Sequence, residues 1–492
     1  MNYVGISAGF HDAAVSVIDQ RGDILFAGHS ERYSKRKHDQ NLCADLLIDA
    51  LSYATFPEIE YHYYERPWIK AMRQFYSGEG FRWPTWDRLI GPTYDFLGRP
   101  NIHTHGHHLC HAAAGFQTSP FEEATVIIID AIGEFDTVTI WDAQYDSSGQ
   151  AQYKKLWSQQ YPHSIGLLYS AMTARVGLKP LDEEYILMGM AAYGEPKYLR
   201  EMQQALLNPH EKLKFSQNLH VGVGDDFLPH ADPMDIACSV QLMAEQLIRN
   251  VLGRARGEGR SRNLVYGGGV ALNCVANRML GDYYERIWIM PNPGDAGNSL
   301  GAACLGYGRK VAWDNSFLGH DIPGDYPVNA VLDHLLTDKI VGVASGRAEF
   351  GPRALGNRSL LADPRGYSIK NRVNEIKRRQ KFRPFAPVIL EEYVNDYFEM
   401  PYGFQNSRYM QTVAACHKPD SFPAIVHVDG TSRVQTVPPD GSGIRELLEK
   451  WYFMTNCPML LNTSLNIRGE PMVNNRTDAD RFERLYGVRV CS

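Results

Sequence analysis

The stretch NIHTHGHHLCHAAAGF, residues 101–116, carries five histidines: His103, His105, His107, His108 and His111. From His107 onward it becomes alanine-rich and reads as a helix. On a helix His107 and His111 stand one turn apart on one face, and His108 also comes near His111. An i, i+4 pair of imidazoles is a two-ligand clamp for a metal ion. The alternative is a polar helix start with solvated histidines. An aspartate, Asp295, lies in the glycine-rich PGDAGNSLGAA just before a small-residue helix. There Asp295 can ligate a metal or simply cap the helix.

A second chemistry is suggested by GGGVALN, residues 267–273, which follows the strand-like LVY. Glycines such as Gly268 and Gly269 at a strand-to-helix turn let backbone N–H groups approach an anion; the other reading is a tight turn with packing glycines. GISAG (5–9) matches a nucleophile elbow in letters only, because a strand follows where that motif needs a helix. There is no G-x-x-x-x-G-K-[ST] phosphate loop.

Elements must position these groups. A chain of 492 residues calls for two or three domains. With 44% hydrophobic and 22% charged residues and a net charge of -6, it is ordinary for a soluble globular protein and unlike a general nucleic-acid binder. Its eight cysteines form no CxxC pair and read as reduced thiols. No apolar run reaches membrane-span length, and MNYVGISAGFHDAAVSVID has no signal-peptide pattern, so the expectation is a cytoplasmic enzyme without a membrane partner.

YVGISAG, AAVSVID and ILFAGHSE read as a three-stranded antiparallel meander. A like block recurs at ATVIIIDAIGEFDTVTIWDA, where the apolar strand ends in Asp130 and a loop holds Gly133 and Glu134. Two such blocks suggest an internal duplication, and the arrangement resembles the actin-like ATPase fold, whose loops after the first strands face phosphate and metal. Helical patterns fill 164–208 and 233–256, a basic loop follows at 253–263, and a helix is expected from Val270. The stretch 313–328 reads as a linker, with a domain boundary near 320. Beyond it basic residues cluster: Arg347, Arg353, Arg358 and Arg365, then Lys377, Arg378, Arg379, Lys381 and Arg383.

The ordered motifs SAGFHDAAVSVI, SERYSKRKHD, HHLCHAAAGF, DAIGEFDT, PHSIGLLYS, EEYILMGMAAYGEP, GGGVALNC, PGDAGNSLGAA, GRAEFGPRALGNRSLLADPR, FRPFAPVIL, HVDGTSRVQTV and LNTSLNIRGEPMV resemble the O-carbamoyltransferase family over nearly the whole chain. The stretch 200–265 is shorter than the resemblance leads one to expect. The resemblance implies an α/β and α+β architecture. An N-terminal actin-like, Kae1-like duplicated domain (1–320) would precede a YrdC-like α/β domain (321–492). It implies that carbamoyl phosphate and ATP, with magnesium, give carbamoyl adenylate in the second domain. The first domain would then move the carbamoyl group to an acceptor hydroxyl.

The same resemblance makes His107, His111, Asp130 and Asp295 ligands of a divalent metal, iron(II) first, with manganese and zinc as alternatives. His108 becomes an outer or solvent-facing residue, and His103 and His105 fall in the preceding loop. Gly133, Glu134, Gly268, Gly269 and Asn273 would border the nucleotide. A hydroxyl is a poor nucleophile and needs a base, for which His11 in GFHDAA is the candidate, oriented by Asp12. Arg353, Lys377, Arg383 and Arg433, with Ser464 and Asn466 of LNTSLN, would bind carbamoyl phosphate and ATP.

A maturation factor that carbamoylates a thiol should carry an acylphosphatase-like domain and CxxC zinc modules, which are absent here. A catalytically inactive nucleotide-sensing scaffold should have lost one residue set or the other, and both are intact. The acceptor stays open among a saccharide, an antibiotic or other natural product, and a hydroxymethylated base in DNA of the 5-hydroxymethylcytosine type. For DNA two features could form a groove: the aromatic stretch 61–88 and the loop arginines Arg254, Arg256, Arg260 and Arg262. Aromatic burial is the default for the first, and a solvated turn for the second.

Overall fold

YVGISAG, AAVSVID and ILFAGHSE form three strands of one sheet in the structure, a computed structural model that describes residues 1–54, 58–380 and 382–492. Lys381 of the basic cluster therefore lies outside the described residues. The strands are β1 (Asn2–Ser7), β2 (Ala14–Asp19) and β3 (Ile24–His29), joined by β4 (Ile59–Tyr63) and β5 (Ile102–Thr104) in the order β3-β2-β1-β4-β5. β1 pairs antiparallel with β2 and parallel with β4, and β4 pairs parallel with β5.

The second block builds β6 (Glu123–Gly133), β7 (Asp136–Tyr145) and β8 (Ala151–Gln160), and adds β9 (Asn263–Gly267) and β10 (Arg286–Trp288). Its order, β10-β9-β6-β7-β8, repeats that of the first sheet. β6 is again central, antiparallel to its hairpin partner and parallel to the strand on its other side. Loops that follow parallel neighbours leave at one edge of a sheet, so the residues after β1 and β4, and those after β6 and β9, are gathered in pairs.

Two helices, His107–Gln117 and Asn298–Tyr307, pack against these sheets. Small residues bring the backbones together. A Cβ on Gly5 of β1 would lie 1.8 Å from the Ser299 carbonyl oxygen, and one on Gly301 would lie 2.0 Å from that of Cys110. Ala112 and Phe116 bury the other face of the histidine helix on Val126, Ile128 and Val265. Asp295 is thereby carried against the histidines.

Two compact units emerge: Met1–Ala27 with Gln40–Trp313, and Gly28–Asp39 with Asp314–Ser492. The second has strands β11 (Phe317–Ile322), β12 (Ile340–Ala344), β13 (Gly346–Glu349), β14 (Arg358–Ala362), β15 (Ala386–Leu390), β16 (Phe398–Glu399), β17 (Val413–Cys416), β18 (Thr431–Arg433), β19 (Gln435–Val437), β20 (Met459–Ser464) and β21 (Val490–Cys491). Six of them make a mixed sheet in the order β19-β15-β20-β14-β12-β21. One apolar cluster gathers Ile369, Val373 and Phe482, and another gathers Leu335, Leu447 and Trp451, so helices pack on both faces of this sheet. The segment 28–39 is held within this unit by the Lys35–Asp478 ion pair and by the Arg32 guanidinium, which donates to the Gly351 carbonyl at 2.9 Å.

Two local expectations are corrected. The supposed linker 313–328 contains β11, which pairs antiparallel with β13 and accepts hydrogen bonds from Arg347 through its Leu318 and Gly319 carbonyls. In place of one helix from Val270 there is a single turn, Gly269–Leu272, and then a short helix, Cys274–Asn277. The reason is Asn273, whose side chain accepts from the Ala276 N–H as a cap and so interrupts the run.

Candidate metal centre and anion pocket

His107 opens its helix, and the 3.6-residue period places His111 beside it, with ring centroids 5.0 Å apart. Asp130 lies near the end of β6, in the irregular stretch between Ile129 and Gly133, where the Ser164 hydroxyl donates to the Ala131 carbonyl at 2.7 Å and accepts from the Leu167 N–H at 3.1 Å. The backbone after Asp130 and the helix Ile165–Arg175 are thus tied together. Asp295 precedes the helix Asn298–Tyr307. Nε2 of His107 lies 3.2 Å from Asp130 Oδ2, 3.4 Å from Asp295 Oδ1 and 3.2 Å from Nε2 of His111. Nε2 of His111 lies 3.7 Å from Asp130 and 3.5 Å from Asp295.

Ligand atoms about 2.0–2.2 Å from a divalent ion stand roughly 3–3.5 Å from one another at tetrahedral or octahedral angles. The distances from the two imidazoles to each other and to the carboxylates, 3.2–3.7 Å, come close to that spacing, and one ligand atom from each of the four residues lies within 4.8 Å of the others, so the residues fit a metal ion. The buried Asn298 Oδ1, which has no hydrogen-bond partner among the described residues, adds an unsatisfied oxygen beside the cluster.

The electrostatics agree. Burial works against charge on His107, but Asp295, Asp130 and Glu65 outweigh it and hold the imidazole well above its usual value. His111 is raised by Asp130 and Asp295 against the same burial penalty. Burial pushes Asp130 up, yet hydrogen bonds from both histidines bring its carboxyl well below the usual range. Asp295 is pushed up by burial and by Asp130, but His107 and His111 bring it below the usual range as well, so the two buried carboxylates make a place that favours a cation.

Glu65 and Lys70 were not singled out from the sequence. Glu65 follows β4 and puts Oε1 3.2 Å from Nδ1 of His107, and Lys70 Nζ donates to the same oxygen at 2.8 Å. A usable signal existed: an apolar strand ending in an acid, as at Asp130, recurs at YHYYE. His108 is not solvent-facing. It is buried, with Nδ1 2.9 Å from Thr139 Oγ1, and burial together with the charge of His107 drives its pKa well below the usual value. His103 lies on β5, not in a loop, and stacks on His62, whose Nδ1 is 3.0 Å from Nε2 of His105.

His11 and Asp12 occupy the loop between β1 and β2, with His11 Nδ1 2.8 Å from Asp12 Oδ2. Asp12 holds φ at +47°, a left-handed conformation that Asp tolerates better than most residues. Phe10, one residue before, lies under Lys70 Nζ at 4.3 Å from the ring centroid, which ties this loop to the Glu65–His107 contact.

Of the residues expected at a nucleotide, Gly133 packs on the imidazoles: a Cβ there would meet His107 Cδ2 at 2.4 Å. Glu134 is bound to Arg66 and accepts from its backbone N–H at 2.7 Å. The Gly268 N–H donates to the Pro293 carbonyl at 3.0 Å, and the Gly269 N–H donates to Asp130 Oδ1 at 3.1 Å. Asn273 exchanges hydrogen bonds with Gln241. The two glycine N–H groups expected to face an anion are therefore engaged inside the protein, where one of them holds Asp130.

In the second unit Lys377 caps the C-terminus of the helix Tyr367–Ile376 and is buried, although a run such as Lys377–Arg378–Arg379 ordinarily forms a solvated face. Its ammonium donates to the Ser464 carbonyl at 2.5 Å, to Ser464 Oγ at 3.3 Å and to Asn466 Oδ1. Burial, then Arg379 and Arg383, push its pKa well below the usual lysine value. Arg379, which the resemblance does not place at this site, bears on Lys377 more strongly than Arg383 does. Arg353 is half-buried in the loop between β13 and β14, and Arg433 closes β18 with a buried Nε that lacks a hydrogen-bond partner among the described residues.

Two family models match this chain: the carbamoyltransferase N-terminus over residues 60–304 and the carbamoyltransferase C-terminus over 332–490. An uncharacterized protein of Synechocystis sp. is 33% identical over 97% of this chain and 93% of its own length. Nodulation protein NolO of Bradyrhizobium diazoefficiens is 32% identical over 76% of this chain and 75% of its own. The 3'-hydroxymethylcephem-O-carbamoyltransferase of Amycolatopsis lactamdurans is 26% identical over 97% of this chain and 95% of its own. With both units matched and the relatives aligned over most of their length, the chain belongs to the O-carbamoyltransferase family.

Proposed function

We propose that this protein is an ATP-dependent O-carbamoyltransferase that works through carbamoyl adenylate. The observation that carries this reading is Lys377, a buried ammonium whose hydrogen-bond acceptors are a carbonyl, a hydroxyl and an amide oxygen, with Arg379 and Arg383 beside it. Such a group gains most from an anion, and phosphate suits it. Carbamoyl phosphate and ATP would bind here, with Arg353, Arg433, Ser464 and Asn466 as further ligands and magnesium accompanying ATP. A carbamate oxygen bonds to the α-phosphorus as the α–β anhydride of ATP breaks. Pyrophosphate leaves, and the phosphate of carbamoyl phosphate leaves with the uptake of one water.

The adenylate is consumed in the first unit. The acceptor hydroxyl forms a C–O bond to the carbamoyl carbon, the bond from that carbon to the phosphate oxygen breaks, and AMP departs. His11 takes the hydroxyl proton, and Asp12 keeps the ring turned for it. His107, His111, Asp130 and Asp295 would hold iron(II), manganese or zinc, which when bound supplies positive charge against the adenylate phosphate. Gly133, Glu134, Gly268, Gly269 and Asn273 shape and stiffen the wall of this site. The strand order shared by the two sheets supports an actin-like duplicated unit, and the mixed sheet with its buried lysine supports a YrdC-like one.

The test is carbamoyl-phosphate-dependent release of pyrophosphate from ATP. Lys377→Ala and Ser464→Ala should abolish it, and preformed carbamoyl adenylate should restore transfer. Wild-type release by Lys377→Ala would overturn the assignment.

A further inference from the structure

The helix Pro67–Tyr76 starts directly after Glu65 and Arg66, the residues that reach His107 and Glu134. Its inner face is formed by Pro67, Lys70, Ala71 and Arg73, and the two cations on it are matched by Glu65 and Glu79. Its outer face repeats at helical spacing and is apolar: Trp68, Met72, Phe75 and Tyr76 are all exposed. The following loop folds back and sets Trp83 edge-on to Trp68, with centroids 4.9 Å apart at 84°, and Phe81 5.8 Å from Trp83. Edge-to-face packing covers a ring face only in part, and Trp68 and Trp83 remain 51% and 63% exposed. At the helix end Tyr76 meets Phe135, the neighbour of Glu134, at 6.4 Å. Both ends of this aromatic face therefore adjoin residues that touch the metal centre or its neighbours.

The open charge on this segment is positive. Glu79 is paired with Arg73 and Asp87 with Arg99, while Arg82 and Arg88 are exposed and have no partner among the described residues. The basic segment expected as a loop over 253–263 is different: Arg254 and Arg256 lie on the last turns of the helix Pro233–Glu258, and only Arg260 and Arg262 follow it in the connection to β9. Arg254 pairs with Glu258, Arg262 pairs with Glu285, Arg256 lies over Tyr284, and Arg260 is 3.9 Å from Asp142. The connection also precedes β9, and the Gly269 N–H that donates to Asp130 lies two residues beyond the other end of that strand, so about 13 Å of strand stands between the two.

We propose that the aromatic face of 67–83 binds the acceptor, and that the acceptor is a hydroxyl-bearing nucleobase with a phosphate attached. The base lies on the open faces of Trp68 and Trp83, and Arg82 and Arg88 take the phosphate. A nucleotide and a nucleic-acid strand share this chemistry. A neutral saccharide could use the rings but not the arginines. The inference rests on the carbamoyl-transfer reading and names the acceptor for it.

The test measures binding of four probes to the full chain: a single-stranded oligonucleotide of hydroxymethylated pyrimidine, its 5'-monophosphate, its uncharged nucleoside, and chitotetraose. The oligonucleotide and the monophosphate should bind, more weakly as salt rises. Trp83→Ala, and Arg82→Glu combined with Arg88→Glu, should each weaken them at least tenfold while pyrophosphate release stays at the wild-type rate. Tighter binding of the oligonucleotide assigns a strand, and equal binding assigns a nucleotide. Chitotetraose or the nucleoside binding as well as the phosphates would overturn the proposal. Unchanged affinity in the variants would overturn it too, as would a wild-type dimer that Trp83→Ala dissociates. Absence of pyrophosphate release in the wild type would instead defeat the underlying function.

Discussion

Glu65 Oε1 stands 3.2 Å from Nδ1 of His107, on the opposite side of the ring from the other three candidate metal ligands. A carboxylate there accepts the Nδ1 proton and turns the Nε2 lone pair toward Asp130 and Asp295. Glu65→Gln should lower metal affinity about 10–100-fold without altering pyrophosphate release. Metal titration checks this, and wild-type affinity in the variant would show that Glu65 serves only to pair with Lys70.

His107→Ala and His111→Ala should each lose bound metal and carbamoyl transfer while still forming the adenylate. Elemental analysis beside the pyrophosphate assay separates the two effects. Full metal content in both variants would defeat the ligand assignment.

Lys377 makes a prediction with a definite sign. Burial lowers its pKa well below 10.5, so in the free protein the amine gives up its proton more readily than in the unfolded chain. Between the depressed value and 10.5 the unfolded state binds more protons, and stability gains from this group as pH rises through that window. Lys377→Met should therefore stabilise the protein most toward the acid end of the window. Binding of phosphate or carbamoyl phosphate should raise the pKa and take up a proton. Calorimetry in buffers of different ionisation enthalpy should detect that uptake in the wild type and not in the variant.

Gly5→Ala should destabilise by about 1–3 kcal/mol, because the new methyl would press on the Ser299 carbonyl 1.8 Å away. The displaced helix carries Asn298 and follows Asp295, so metal affinity should fall as well. Gly253→Ala, in the helix Pro233–Glu258 with nothing within 4 Å of the new carbon, is the control and should not lower the melting temperature.

Reversing Arg254, Arg256, Arg260 and Arg262 to glutamate should leave the KM for the acceptor unchanged and lower the melting temperature, since each already faces an acid or a ring. A raised KM would mean that this segment reaches the acceptor.

The histidine pair was legible in sequence because its signal is local: an i, i+4 spacing follows from the helical period. Asp130, Asp295, Ser464 and Asn466 entered through motifs that resemble the family, because nothing in their local spacing says which of them meet. Glu65, Lys70 and Asn298 were not legible, because their roles depend on which strand end abuts which. That was decided by the β1–β4 pairing and by glycines that let the helix Asn298–Tyr307 press on both β1 and the histidine helix. Tertiary contacts also placed residues 28–39 in the second unit and buried Lys377 out of a run that composition reads as a solvated face. The aromatic stretch shows the physical reason most directly. Helical periodicity groups Trp68, Met72 and Phe75 on one face without saying whether that face is inside. Here Lys70 and Arg73 find carboxylates at Glu65 and Glu79 and so occupy the inner face, which leaves the aromatic one in water.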